Sequence, residues 1–460
     1  MQTGSELVAR LRLICGERHV LADPASLAPY RSDAQRRHRR LPAVAVLPGS
    51  AVEVASAVRA CADAGVPFVA RGAGTGLAGG AVPIADGVLL VLSRMRQIVE
   101  LDRDAGVVVA EAGASARALA RALAPSHFFA SAPSGDAATI GGLVVTNAGG
   151  PRSLKYGPIR PYLAGLDVVL PDGRQLELRE ASPGYDLVGT FAGSEGTLGV
   201  ATAVHLRALP TPPDVRAALA YFDDVVAAAE AAAAILAAGI EPAALELLDA
   251  RVLEITAQAT GVGLASDAPG AGAALLIELD GSAEHCEAGE AALTQTLTKA
   301  RIRKLRIARD APERALLWRA HTAALAGLGR AANAFTVQDP AVPPSNLPAV
   351  LRRVRKLAGR SRLDLVLTAR AGEGILHPVV LYDARVPGQA TQAQELGDAI
   401  TEACIEAGGT ITAEHGVGIA GAERLQSLFS GADLDAFARL RAAFDPRGLA
   451  NPGRGAAAPL

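Results

Sequence analysis

Of the eight histidines in the chain, His321, His377 and His415 stand in surroundings that could do chemistry. His415 follows Glu414 and precedes Gly416, at the end of an apolar run that reads as a strand entering a loop. An imidazole titrates near neutrality, so a loop-borne histidine suits a general base that takes a proton from a hydroxyl. Arg370 opens, and His377 closes, the run Arg370-Ala-Gly-Glu-Gly-Ile-Leu-His377. A guanidinium stays charged and cannot ligate a metal, but it can hold a carboxylate through two parallel hydrogen bonds. His321 ends Trp318-Arg-Ala-His321, which reads as helix. The other histidines, His19, His38, His127, His205 and His285, lie in no such context.

Thirteen of the 48 glycines lie in three clusters. The first is Arg71-Gly-Ala-Gly-Thr-Gly-Leu-Ala-Gly-Gly80, in which Gly72, Ala73, Gly74, Thr75, Gly76, Gly79 and Gly80 expose backbone. It contains a formal GxGxxG, but Val82-Pro83 and another strand follow instead of the helix that a dinucleotide fold needs. Its consecutive N–H groups can still converge on phosphate, with Arg71 adding charge at the edge. The second, residues 131–150, contains Pro133, Ser134, Gly141, Gly142, Gly149 and Gly150, with Thr139, Thr146 and Asn147 offering side-chain hydrogen bonds. The third runs Gly193-Ser-Glu-Gly-Thr-Leu-Gly199, with Gly196 and Gly199 leading to Val200. Three such stretches in one domain imply a long cofactor threaded between layers.

The elements around them alternate strand and helix. Ala43 to Leu47 reads as a strand, Ser50 with Glu53 as a capping box for a helix to about Ala64, and Gly65 as its end. Pro67 to Ala70 is a strand feeding the first glycine cluster. Strands follow at 87–92, 98–101 and 107–112, a helix at 115–123, and short strands near 143–146, 166–170 and 175–179. Pro210, Pro212 and Pro213 mark a boundary. Beyond it a helix spans Val225 to Ala238, and strands are expected at 274–279, 364–368 and 409–412 among long helices. The division expected is a helical arm over 1–40 ending in the solvated tract Arg36 to Arg40, one domain over 41–209 and a second over 210–454.

Lys and Arg number 45 against 47 Asp and Glu, and only 3% of the residues are aromatic, which argues against a nucleic-acid partner. Cys15, Cys61, Cys286 and Cys404 form no CxxC pair, which fits a reducing compartment. The N-terminus has no basic region followed by an apolar stretch, and the alanine-rich run Ala231 to Ile240 is far short of the ~20 residues of a membrane span. A soluble, cytoplasmic protein is expected, and peripheral attachment to a membrane complex is compatible with that.

The chain resembles the FAD-linked oxidases of the vanillyl-alcohol-oxidase type, most of all the branch of glycolate oxidase flavin subunits, D-lactate dehydrogenases and D-2-hydroxyglutarate dehydrogenases. The resemblance rests on Arg71-Gly-Ala-Gly-Thr75 with Gly79-Gly80, Thr139-Ile-Gly-Gly142, Asn147-Ala-Gly-Gly150, Lys155-Tyr-Gly157, Gly193 to Gly199, Glu414-His-Gly416 and Asn451-Pro-Gly-Arg454, in family order. It implies an α+β protein: a two-part FAD-binding domain, then an α+β cap domain, with a C-terminal segment returning to the flavin. The residues of the three clusters, with Asn451, would hold FAD. Some relatives tether flavin through a histidine in the first loop; residues 71–80 contain none, so FAD is expected to be non-covalent.

The resemblance also implies oxidation of a D-2-hydroxy acid such as glycolate or lactate, with His415 as base and electrons passing to a separate acceptor: a protein, a quinone or oxygen. Metal-using relatives hold a divalent ion with two histidines and the glutamate before the base. Here Glu414 and His377 are kept, but Arg370 replaces the first histidine and Ile375 an asparagine. No catalytic metal is therefore expected, and Arg370 would supply positive charge, paired with Glu414 or holding the substrate carboxylate. Where relatives carry a carboxylate-gripping arginine this chain has His321, and Arg319, two positions earlier, faces another side of the helix. A second reading, favoured by these departures, is a non-catalytic FAD subunit of a multi-protein oxidase; a third is an oxidase of another alcohol or of an amine. Self-association or partner subunits are compatible with each.

Overall fold

Local signals start the first sheet. Ser50 Oγ accepts the Glu53 N–H at 3.2 Å, and Gly65, at φ 66, ends the helix Ala51–Ala64. The return arm of the expected capping box lands one residue early, because Glu53 Oε2 accepts the Gly49 N–H at 2.8 Å. The protein is described as a computed structural model over residues 4–35, 37–133, 137–260, 264–419 and 421–455. It divides into two units: Met1–Gly150, Gly157–Thr211 and Glu414–Leu460 form one, Pro151–Tyr156 and Pro212–Ala413 the other.

In the first unit, Val44–Val46, Val88–Val91 and Phe68–Arg71 run parallel, with Val20–Leu21 antiparallel at one edge. Beside Phe68 the C-terminal chain runs parallel, the Phe68 N–H donating to Leu449 O and the Asn451 N–H to Phe68 O, both at 2.9 Å. A second, antiparallel sheet has the order Ile98–Asp102, Val107–Glu111, Val200–Arg207, Leu163–Val169, Gln175–Arg179.

Two expectations change here. Residues 1–40 are not a separate arm: Leu7, Leu11 and Cys15 of the helix Ser5–Cys15 share a core with Val44 and Val46. Within the tract, Arg37, Arg39 and Arg40 are exposed, and Arg36 lies outside the described residues. Residues 143–145 end a helix, Ile140–Val145, instead of forming a strand. Its buried positions Ile140, Leu143 and Val144 follow helical spacing, which overrides the strand preference of Leu-Val-Val.

The second unit is built on seven antiparallel strands in the order Lys304–Ile307, Asp214–Phe222, Ala273–Gly281, Ala244–Asp249, Asp364–Arg370, Ile375–Tyr382, Ala334–Val337. One face is apolar. Leu245, Leu247, Leu275, Ile277, Leu367, Ala369, Leu376 and Val380 pack there in one core with residues of the helices Val225–Ala237, Ala283–Lys299, Leu347–Arg360 and Gln389–Glu406. The expected strand at 409–412 is reduced to bridges of Thr410 with Ala341 and Thr412 with Asp339. The unit ends at Ala413, short of the expected 454, because the chain from Glu414 onward belongs to the first unit.

Asp249 closes the strand Ala244–Asp249 and starts the next helix, accepting the Val252 and Leu367 N–H groups at 2.7 Å each. Burial pushes its carboxyl up to about 7, against the pull of those N–H groups. The folded chain therefore holds this proton more tightly than the unfolded chain, whose carboxyl titrates near pH ~4. Stability from this group falls as pH rises from about 4 through about 7. An Asp249→Asn variant has no such proton. Its melting temperature relative to wild type should rise between about pH 5 and about pH 8, read by calorimetry; a constant gap would contradict the shift.

Candidate active site

The first glycine loop leaves the strand Phe68–Arg71, and Arg71 braces it from within. Arg71 Nη1 donates to Ser32 O at 2.9 Å and Ala81 O at 3.0 Å, and the guanidinium carbon lies 5.9 Å from the centre of the Tyr30 ring. Burial draws its pKa below the ordinary arginine value, partly offset by Asp33 and Tyr30. The charge expected at the loop's edge is thus turned inward. Gly74, at φ 71, makes this possible, since a Cβ there would stand 2.2 Å from Arg71 Nη2. Gly72 packs on Thr139, whose Oγ1 would lie 2.0 Å from a Cβ. The Gly79 N–H donates to Asp33 Oδ2 at 2.8 Å, and the Ala34 N–H to Gly76 O at 3.2 Å. Asp33 was not marked in the sequence, where it is one acidic residue ahead of a basic tract.

Ala73, Thr75 and Gly76 are exposed. At Gly76 and Gly80 a Cβ would meet nothing within 4 Å, so bare backbone faces open space.

The second and third clusters mix packing and site roles. A Cβ at Gly141 would stand 2.7 Å from Ala112 Cβ, at Gly150 1.9 Å from Ala132 O and at Gly199 2.5 Å from Val169 O, so these glycines allow close packing. Gly149 and Val200 are buried, Gly142 and Pro133 half-buried, and Ser134 lies outside the described residues. Thr146 Oγ1 donates to Gly142 O at 3.0 Å, and Asn147 Oδ1 accepts the Arg160 N–H at 3.2 Å, so both expected ligand groups also serve the backbone. Asn451 is a staple: Oδ1 accepts the Ala70 N–H at 3.1 Å and Nδ2 donates to Glu195 O at 2.6 Å, beside Gly196. Arg454 is buried, donating to Val82 O and Pro452 O, and burial brings its pKa down to about 10. The buried Ser194 Oγ has no hydrogen-bond partner among the described residues. An unsatisfied hydroxyl and open glycine backbone on one unit fit an extended cofactor with anionic groups.

In the same unit, His415 Nε2 lies 3.6 Å from Glu414 Oε1, with 20% and 12% of their side chains exposed. That distance is an electrostatic contact rather than a hydrogen bond.

The second unit carries its polar groups on one sheet face. Glu246 is opposite both Leu276 and Arg370, and Thr368 is opposite His377. With period-two alternation, Glu246, Glu278, Asp280, Arg370 and His377 therefore project away from the apolar face. Glu278, 0% exposed, accepts Arg152 Nε at 2.6 Å and Trp318 Nε1 at 2.5 Å. Asp280 accepts Lys155 Nζ at 2.5 Å and the Tyr156 hydroxyl at 2.8 Å. Glu246 Oε2 lies 3.1 Å from His321 Nε2, and its Oε1 lies 4.0 Å from Arg370 Nε. Arg370 Nη1 also donates to Ser153 Oγ at 3.1 Å.

Arg370 and His321 thus share one carboxylate, Glu246, which the sequence reading did not single out. Its signal was present as an acidic residue set inside an apolar run, Leu245-Glu-Leu-Leu248, and the next strand carries Glu278 and Asp280 at alternate positions in Ile277-Glu-Leu-Asp280. His377, Glu414 and His415 are of metal-ligating type; Arg370 is not.

Residues 42–179 match the family described as FAD binding domain, and residues 211–454 the family described as FAD linked oxidases, C-terminal domain. The chain is 37% identical over 440 residues to the glycolate oxidase subunit GlcD of Escherichia coli K12, covering 95% of this chain and 88% of that one. It is 30% identical over 418 residues to the D-lactate dehydrogenase of Archaeoglobus fulgidus, covering 89% and 90%. In fold it is similar to the 4-ethylphenol oxidase of Gulosibacter chungangensis, with a TM-score of 0.81 at 18% identity over 99% of this chain and 97% of that one. Two family matches that together span both units, over a glycine scaffold suited to FAD, show that the chain belongs to the FAD linked oxidases and is an FAD-dependent oxidoreductase.

Proposed function

We propose that the chain oxidises a small D-2-hydroxy acid of the glycolate or lactate kind, with His415 as general base. The observation that carries this is the His415–Glu414 pair, held at 3.6 Å. The names of the relatives supply the substrate class.

When bound, FAD supplies the two-electron acceptor for the hydrogen on the hydroxyl-bearing carbon. His415 takes the hydroxyl proton onto its imidazole. Glu414, at 3.6 Å, stabilises the imidazolium that results. The partly buried setting of both side chains limits competition from water. Arg370 is the proposed charge for the substrate carboxylate, anchored through Ser153 and balanced by Glu246. Because a guanidinium takes the position of a metal-ligating histidine, the reaction is proposed to run without a catalytic metal. The absence of histidine from residues 71–80 supports non-covalent FAD.

Electrons then leave to a separate acceptor, a protein or a quinone. The relative in Escherichia coli is named as a subunit, which supports a partner chain. No helix among the described residues is long and apolar enough to cross a membrane.

His415→Ala should retain FAD and lower the rate of flavin reduction by roughly 10²–10⁴, measured by anaerobic rapid mixing; undiminished reduction removes His415 from the chemistry. Metal analysis of the purified holoprotein should find zinc and manganese well below one per chain, with activity surviving chelation. Stoichiometric metal lost together with activity would overturn the role given to Arg370.

A further inference from the structure

The chain just after His415 is gripped by a residue outside the expected set. Glu195 lies in the third glycine cluster at φ 53, a left-handed backbone that a glutamate seldom adopts. It is buried, and its two carboxylate oxygens accept consecutive backbone N–H groups: Val417 to Oε1 at 2.8 Å and Gly418 to Oε2 at 2.7 Å. Its own backbone is fixed at both ends, the N–H donating to Val145 O at 2.7 Å and the C=O accepting Asn451 Nδ2 at 2.6 Å. Gly416 permits the approach, since a Cβ there would stand 2.9 Å from Glu195 Cδ.

The other side of the same segment meets the first glycine cluster. The Ile419 N–H donates to Ala78 O at 2.9 Å, and a Cβ at Gly418 would stand 2.0 Å from that oxygen. Residues 416–419 are therefore held between the first and third clusters, and His415 is the next residue along.

We propose that Glu195 is a positioning residue for His415, acting through the backbone of 416–418. It ties the base to the loops that form the cofactor scaffold. This rests on the reading of His415 as the base. The chemistry selects a glutamate: a carboxylate offers two acceptors to two N–H groups, whereas a glutamine offers one and turns its own N–H₂ towards the other. Displacement of a catalytic group by about 1 Å can lower a rate about 10²-fold.

Three measurements on the holoenzyme test this. Amide hydrogen exchange should show Val417 and Gly418 protected like strand amides; fast exchange at both overturns the grip, whatever any variant does. Glu195→Gln should keep its FAD and KM while kcat falls about 10- to 100-fold; unchanged kcat overturns the role. In the His415→Ala background the same substitution should cause no further loss, because the base it positions is gone. Equal fold-losses in both backgrounds overturn the positioning role alone. Undiminished reduction by His415→Ala overturns the base reading and the positioning role with it, while leaving the exchange result standing.

Discussion

A carboxylate taken out of water is tolerated only where donors replace its hydration, and this constraint organises both units. In the first, Asp33 fixes Gly79 of the glycine loop and Glu195 fixes the chain after His415. In the second, Glu246, Glu278 and Asp280 gather His321, Arg370, Arg152, Trp318, Lys155 and Tyr156 on one sheet face. Leaving a buried donor unpaired costs about 1–3 kcal/mol, so each of these acids holds several groups in place at once. The pairing also explains why Pro151–Tyr156 belongs to the second unit although the chain on either side belongs to the first.

Glycine has two separate uses here. At Gly141, Gly150 and Gly199 it lets backbone or small side chains pack at distances that a Cβ would block. At Gly76 and Gly80 no neighbouring atom stands where a side chain would, so the backbone borders open space. The second use suits phosphate binding, while the first builds the platform on which the loop rests.

Much of the scaffold was legible because its signals are local. Ser50, Gly65 and the Pro210–Pro213 cluster act on their own neighbours, and the elements they delimit stand within a residue or two of expectation. The glycine clusters announced a long cofactor for the same reason. Misreadings arose where distant residues decide. The return of a C-terminal segment was expected from the resemblance, but not its start at Glu414, which depends on pairing across more than two hundred residues to Glu195 and leaves no mark in the local sequence. Arg71 looked like a charge offered to a ligand because nothing nearby shows that Ser32 and Ala81 receive it. Arg370 was marked for its charge with Glu414 as a candidate partner, whereas the carboxylate beside it is Glu246, on another strand.

FAD-dependent oxidation of a 2-hydroxy acid is tested most directly by anaerobic titration of the holoprotein with glycolate, D-lactate and L-lactate while the visible flavin absorbance is followed. Glycolate or D-lactate should bleach the flavin and leave the corresponding 2-oxo acid in solution, with L-lactate markedly slower. A flavin that stays oxidised with every 2-hydroxy acid would contradict the account.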